Sequence, residues 1–141
     1  KPELGSPLVR GVQPAPLARV VDGVVARATQ LLRADLTRRW TVRELARAVG
    51  VSRAVLARRF VQALGEPPQR WLARVRLERA ATLLVESDDA LAGVAAAVGY
   101  DSEFAFSRAF RRQFGVAPGA YRRHLRKAGG FGSTGPVMRA A

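Results

Sequence analysis

Ala48-Val49-Gly50-Val51-Ser52-Arg53-Ala54-Val55-Leu56-Ala57-Arg58-Arg59-Phe60 and Ala97-Val98-Gly99-Tyr100-Asp101-Ser102-Glu103-Phe104-Ala105-Phe106-Ser107-Arg108-Ala109-Phe110 are two copies of one pattern. After one extra residue in the second turn, Ser52 recurs as Ser102, Leu56 as Phe106, Arg58 as Arg108 and Phe60 as Phe110. Further on, Gly65 recurs as Gly115, Pro68 as Pro118 and Trp71 as Tyr121. Two copies are too few for a solenoid, so the pattern reads as a tandem pair of one small unit. In each copy a short apolar helix is stopped by Gly, and a second helix opens at Ser, which is the helix-turn-helix layout.

Working outward, every flanking segment reads as helix. Ala, Leu and Arg dominate, and no stretch alternates apolar and polar residues long enough to argue a strand, so the expected fold class is all-α. A first helix is expected from about Leu17 or Val20 to Asp35, with Val20, Val24, Ala28, Leu31 and Leu32 at helical spacing. Trp40 closes a short loop. Thr41 with Glu44 three residues on forms a capping box for a helix whose stripe is Val42, Leu45, Ala46 and Val49. The helix opened by Ser52 directs Leu56, Phe60 and Leu64 at the core. Gly65-Glu66-Pro67-Pro68 ends it and starts a long helix to Val85, whose apolar residues fall on more than one face. The second copy also departs from the first where it begins. Ala90 stands where the first copy has a capping Thr and Gly93 where it has Glu, so its first helix lacks a capping box and carries a Gly costing about 1 kcal/mol. A last helix is expected from about Gly119 to Lys127.

Composition sets the partner class. Among 141 residues, 24 Lys+Arg against 11 Asp+Glu give a formal charge of +13, with 48% hydrophobic residues, so the charge belongs to a globular protein rather than a disordered basic tail. Lysine occurs only at Lys1 and Lys127. The arginine fork suits phosphates and guanine edges, which makes nucleic acid the leading partner. Absence of Cys removes disulfides, thiolate zinc and cysteine nucleophiles, and His124 as the sole His argues against His-rich metal centres and a Ser-His-Asp triad. Asp88-Asp89 reads as a turn before a helix. No catalysis, cofactor or metal site is expected. The longest uncharged runs, such as Ala90 to Tyr100, fall far short of the roughly 18 apolar residues of a membrane span, so no membrane partner is expected. Gly130-Phe131-Gly132-Ser133-Thr134-Gly135 matches G-x-G-x-x-G but is followed by Pro136, without the strand, helix and acidic residue a dinucleotide site needs.

In a helix-turn-helix the second helix enters the major groove. With the apolar positions buried, the outer face of the first copy carries Arg53, Ala54, Ala57, Arg58 and Val61, and that of the second Glu103, Phe104, Ser107, Arg108 and Arg112. Arg58 and Arg108 can bond both acceptors of a guanine; Ala54 and Phe104 can pack on thymine methyls, with burial the competing reading for Phe104. Glu103 faces a polyanion, either accepting from a cytosine amino group or weakening that copy's grip. Helix starts at Thr41, Ser52 and Ser102 and the side chain of Arg112 are candidates for phosphate. Arg122 and Arg123, with Arg126, are divided between gripping phosphate and lining the last helix. Arg27, Arg33, Arg38, Arg39 and Arg139 read as solvated surface, His124 as an exposed residue, and Trp40, Trp71 and Tyr121 as packing in the core or at the lobe junction. At 1.5 Å per residue the long helix spans roughly 27 Å, comparable to the ~34 Å between successive major-groove windows on one face of DNA.

The run Arg76-Leu77-Glu78-Arg79-Ala80-Ala81-Thr82-Leu83-Leu84, then Val94-Ala95-Ala96-Ala97-Val98-Gly99-Tyr100, Phe106-Ser107-Arg108-Ala109-Phe110, Phe114-Gly115-Val116-Ala117-Pro118 and Tyr121-Arg122-Arg123, resembles the DNA-binding domain of AraC/XylS-type transcription regulators over about Val20 to Lys127. The resemblance implies a seven-helix domain of two helix-turn-helix lobes joined by a long linker helix. It also implies specific binding to double-stranded promoter DNA, with base reading by Arg53, Ala54, Ala57 and Arg58, and by Glu103, Phe104, Ser107 and Arg108. The expected organisation is a linker (residues 1–18) from an N-terminal sensor domain, a first lobe (19–67), a linker helix (68–86), a second lobe (87–127) and a flexible tail (128–141). An effector would bind the sensor, cupin-like in the subgroup the first half most resembles, and RNA polymerase is a further partner. Such a regulator is expected in the cytoplasm, on the nucleoid. A nonspecific nucleoid or RNA-binding protein is the competing class.

Overall fold

A computed structural model describes residues 22–128, which form seven helices and, among the described residues, no strand. They are α1 (Gly23–Ala34), α2 (Val42–Ala48), α3 (Arg53–Leu64), α4 (Pro68–Glu86), α5 (Leu91–Ala97), α6 (Glu103–Phe114) and α7 (Pro118–Lys127). The expected linker, all but Ala128 of the expected tail, the G-x-G-x-x-G stretch, Val20 and Arg139 lie outside the described residues. Among the described residues no helix is long and apolar enough to cross a membrane.

The first helix starts later than periodicity suggests. Asp22 is its N-cap and accepts from the Val25 amide at 3.0 Å, which fixes the first turn at Gly23. Its buried stripe is Val25, Ala28 and Leu32, one position off the expected register at Val24. Later in the chain, Ala63 is buried where Leu64 was expected to be.

The two repeats close their turns identically. In the first, the amide of Gly50 donates to Arg47 O (3.2 Å) and that of Val51 to Ala46 O (3.0 Å). In the second, Gly99 donates to Ala96 O (3.1 Å) and Tyr100 to Ala95 O (2.9 Å). This paired motif satisfies the last carbonyls of α2 and α5 and requires a left-handed residue, which Gly50 (φ 80°) and Gly99 (φ 92°) supply.

The described chain divides into two compact units. One comprises residues up to Asp35 together with Trp40–Trp71; the other comprises Leu36–Arg39 and the chain from Leu72. In the first, α1 and α2 both pack on α3, burying Val25, Ala28, Leu32, Leu45, Ala46, Leu56, Phe60, Ala63 and Trp71. Phe60 meets Trp71 edge-on at 6.2 Å, and the Arg33 guanidinium lies over the Trp71 ring at 5.1 Å. Arg33 is therefore not the simple solvated residue expected: a cation over an indole face contributes about 0.5–1 kcal/mol.

In the second unit Leu77, Ala80, Ala81 and Leu84 of α4 join Val94, Ala95, Val98, Phe106, Phe110, Phe114, Tyr121 and Leu125 in one core. Phe110 touches three rings, Phe106 (5.7 Å), Phe114 (4.5 Å) and Tyr121 (5.3 Å). Each such pair adds roughly 0.5–1.5 kcal/mol beyond area burial, so this stack anchors α6. Arg76 ties Leu36–Arg39 into the same unit, donating to Leu36 O at 2.7 Å and Arg38 O at 3.2 Å. Arg39 is ion-paired with Asp101 in the turn before α6.

Candidate nucleic-acid interface

The helix α3 is set by Ser52, whose Oγ accepts from the Val55 amide at 3.2 Å, and by Gly65 in the left-handed C-cap. Leu56 and Phe60 are fully buried, and this rotation turns Arg53, Ala54, Arg58 and Val61 outward, with Ala57 half-buried beside them. The same construction holds α6. Ser102 Oγ accepts from the Ala105 amide at 3.1 Å, Gly115 closes the other end, and Phe106, Phe110 and Phe114 face inward at intervals of four. Glu103, Phe104, Arg108, Arg111 and Arg112 are exposed and Ser107 is half-buried. The eight positions expected to read bases thus lie on the outer faces of the two corresponding helices. Phe104 is 81% exposed, which removes burial as its explanation.

The expected phosphate ligands divide. Ser52 and Ser102 are exposed at the starts of twelve-residue helices; each hydroxyl oxygen accepts a capping bond and its proton remains able to donate. Thr41 is exposed and engaged in a complete capping box, accepting from Glu44 N at 3.0 Å while its own amide donates to Glu44 Oε1 at 3.2 Å. Arg112 is exposed beside Tyr100. Burial pushes the Tyr100 phenol above its ordinary value, and the charges of Arg76 and Arg112 oppose that rise. Arg123 is exposed.

Arg122 differs from expectation. Its guanidinium turns inward, donating to Leu84 O at 2.7 Å and Ser87 O at 3.1 Å. Those carbonyls close the C-terminal end of α4, where the last turn has no intrahelical donor, so the fork serves as a C-cap. Arg126 joins it through Ser87 O (2.6 Å) and the Asp88 carboxylate (2.8 Å). Sequence reasoning assigned no role to Arg43 and Arg47, exposed one turn apart on α2, or to exposed Arg111 on α6. The repeat gave no signal for them, since their counterparts in the other copy are Ala92, Ala96 and Val61. Among the described residues no group of His, Asp or Glu is placed to hold a metal ion.

A sequence model described as a helix-turn-helix domain matches residues 45–124, more than half of the chain. The chain is 47% identical over 108 residues to an AraC-like transcription regulator of Streptomyces lividans, a match covering 77% of this chain and 36% of that protein. The fold superposes with a TM-score of 0.72 and 33% identity on the crystal structure of the DNA-binding domain of AdpA, a global transcriptional factor, in complex with a target DNA. That match covers 77% of this chain and 97% of the AdpA domain. The chain belongs to the AraC/XylS family of transcription regulators. It carries the family's sequence-specific DNA-binding domain, and spans about a third of the length of the curated AraC-like regulators it matches. An AraC-type transcriptional regulator from Chromobacterium violaceum is similar as well, with a TM-score of 0.69 at 30% identity over 75% of this chain and 93% of that one.

Proposed function

We propose that this AraC-type domain binds double-stranded promoter DNA by placing α3 and α6 each in a major groove, with no catalytic step. The carrying observation is that Arg58 and Arg108 occupy the same position of the two repeats and are both exposed, on faces that also present Arg53 and Phe104. Arginine fixed by a rigid helix can bond guanine O6 and N7 together. Arg53, Ala54, Ala57 and Arg58 read one element of the site, and Glu103, Phe104, Ser107 and Arg108 the other. Ser52, Ser102, Arg112 and Arg123 hold phosphates, joined by Arg43, Arg47 and Arg111, and these contacts supply most of the salt-dependent affinity. Thr41 has the lesser claim because its backbone amide, unlike its hydroxyl proton, is already taken by Glu44 Oε1 and the carboxylate beside it repels phosphate. Arg122 is assigned to the end of α4 instead.

The reading keeps two lobes, residues 19–67 and 87–127, with 68–86 as the helix between them, although the compact units divide after Trp71 and Leu36–Arg39 belongs to the second. In a full-length regulator the effector is taken by an N-terminal sensor domain, RNA polymerase is the second partner, and the site of action is the cytoplasmic nucleoid. The test is selection of a duplex from random DNA followed by titration of variants. Arg58→Ala or Arg108→Ala is expected to weaken the selected site by about 1–3 kcal/mol and to relax the choice at one base. Equal losses on selected and random duplexes would show that these arginines meet only phosphate, and failure to enrich any duplex would favour a nonspecific binder.

A further inference from the structure

The two outward faces agree at Arg58 and Arg108 and differ at the start of the helix. Arg53 and Ala54 of α3 correspond to Glu103 and Phe104 of α6, an inversion of charge next to a change from the smallest apolar side chain to a large one. Glu103 and Phe104 are the first two residues of α6, the part of a recognition helix that reaches base edges, and both are exposed. Phe104 does not belong to the core. The aromatic stripe of α6 runs through Phe106, Phe110 and Phe114, and a residue two positions before Phe106 is turned by roughly 200°, to the opposite side of the helix.

Groove chemistry leaves few partners for such a pair. An ionised carboxylate only accepts hydrogen bonds and is repelled by phosphates. In the major groove the donors are the amino groups of cytosine and adenine, and the adenine amino group stands beside the N7 acceptor, which repels a carboxylate. Cytosine N4 carries no acceptor beside it on its own base in the groove. The one apolar group the groove offers is the thymine methyl, and an exposed phenyl ring gains by covering it.

Resting on the reading that α6 enters a major groove, we infer that Glu103 and Phe104 are a specificity pair that selects a cytosine with an adjacent thymine. At the corresponding place of the α3 element, Arg53 selects a guanine. The α6 element therefore differs in base sequence from the α3 element, although both carry the guanine read by Arg108 or Arg58. A guanine under Glu103 would set its O6 and N7 acceptors against the carboxylate, so the pair rejects the α3 element as well as accepting its own.

The experiment selects binding sites from random duplex DNA with the full chain and with Glu103→Arg and Glu103→Gln, then titrates the selected duplex with its thymine replaced by deoxyuridine. The expected result is a cytosine enriched at one position of the α6 element. Glu103→Arg converts it to guanine, and Glu103→Gln reduces the preference by about tenfold. Removing the thymine methyl lowers affinity about threefold for the wild-type chain and leaves Phe104→Ala unchanged. Stronger binding of Glu103→Arg to every duplex, with the selected sequence unaltered, would place Glu103 at the backbone and overturn the inference while the groove-binding reading survives. If the wild-type chain enriches no sequence, the reading beneath it falls instead.

Discussion

The second repeat starts on an uncapped helix, and its repair has a calculable yield. Ala90 sits at the N-cap of α5 with φ −61° and ψ 155° and makes no side-chain cap bond; Thr41, its counterpart before α2, has φ −86° and ψ 157° and makes one. The backbone at Ala90 is thus already in the conformation a capping Ser needs. Ala90→Ser should supply the missing bond to the amide at position 93 and stabilise by about 1 kcal/mol. Gly93 lies inside the helix without a positive φ, and a Cβ there would meet only Asp89 Cβ at 3.8 Å, an ordinary contact. Gly93→Ala should add about 0.8–1 kcal/mol by removing backbone entropy from the unfolded chain. Ala is preferable to Glu at this position because a second carboxylate would stand beside Asp89. The serine bond uses the backbone of residue 93 and not its side chain, so the double variant should approach the sum, about 2 kcal/mol. Urea denaturation would show it as a higher midpoint at unchanged slope, and thermal unfolding as a rise of about 4–8 °C per kcal/mol. A neutral or destabilising Gly93→Ala would mean that this residue is not in an open helical position. A neutral Ala90→Ser would mean that α5 does not begin at Leu91.

Three further outcomes are expected. Arg122→Ala should destabilise the second unit by about 1–3 kcal/mol by freeing Leu84 O and leaving Ser87 O to Arg126 alone, while the slope of log affinity against log salt stays unchanged; Arg123→Ala should lower that slope by about 0.9. Gly99→Ala should cost more than Gly50→Ala in a chemical-denaturation comparison. Both carry left-handed strain of about 1–2 kcal/mol, but only at Gly99 would the Cβ fall 3.0 Å from the Arg76 guanidinium that holds Leu36 O. Tyr100, raised above its ordinary value chiefly by burial, should make stability fall at alkaline pH. Below the unfolded value near 10.0 the contribution is complete, and it is lost as pH climbs from there toward the folded value, because the unfolded chain ionises first. Tyr100→Phe should flatten that loss in denaturation midpoints measured across the range.

Much of the candidate site was legible because its signals are local. Ser52 and Ser102 cap their helices through amides three residues on, and the turns at Gly50 and Gly99 end the preceding ones through bonds spanning at most five residues. The repeat then fixed the rotation of α3 and α6, since placing Leu56 with Phe60 and Phe106 with Phe110 inward leaves Arg58 and Arg108 outward. Phe104 needed the tertiary structure, because helical rotation turns it away from the Phe106 stripe but only the packing around α6 shows that no neighbour among the described residues covers it. Where the first helix begins was obscured by a mild apolar pattern running past Asp22, whose cap bond decides it.

The sequence by itself determined the twice-repeated, seven-helix architecture of the described residues, through caps, turns and apolar periods that act within a turn or two of chain, and its motifs carried the resemblance to the family. Only tertiary structure decided the fate of individual arginines. Arg76 is bonded to carbonyls 38 and 40 residues away, Arg122 to carbonyls 35 and 38 away, and Arg33 lies over Trp71. A guanidinium on a long flexible stem takes whichever acceptor the fold brings near, and in a chain so rich in arginine that choice separates the charges that hold the protein together from those left for DNA.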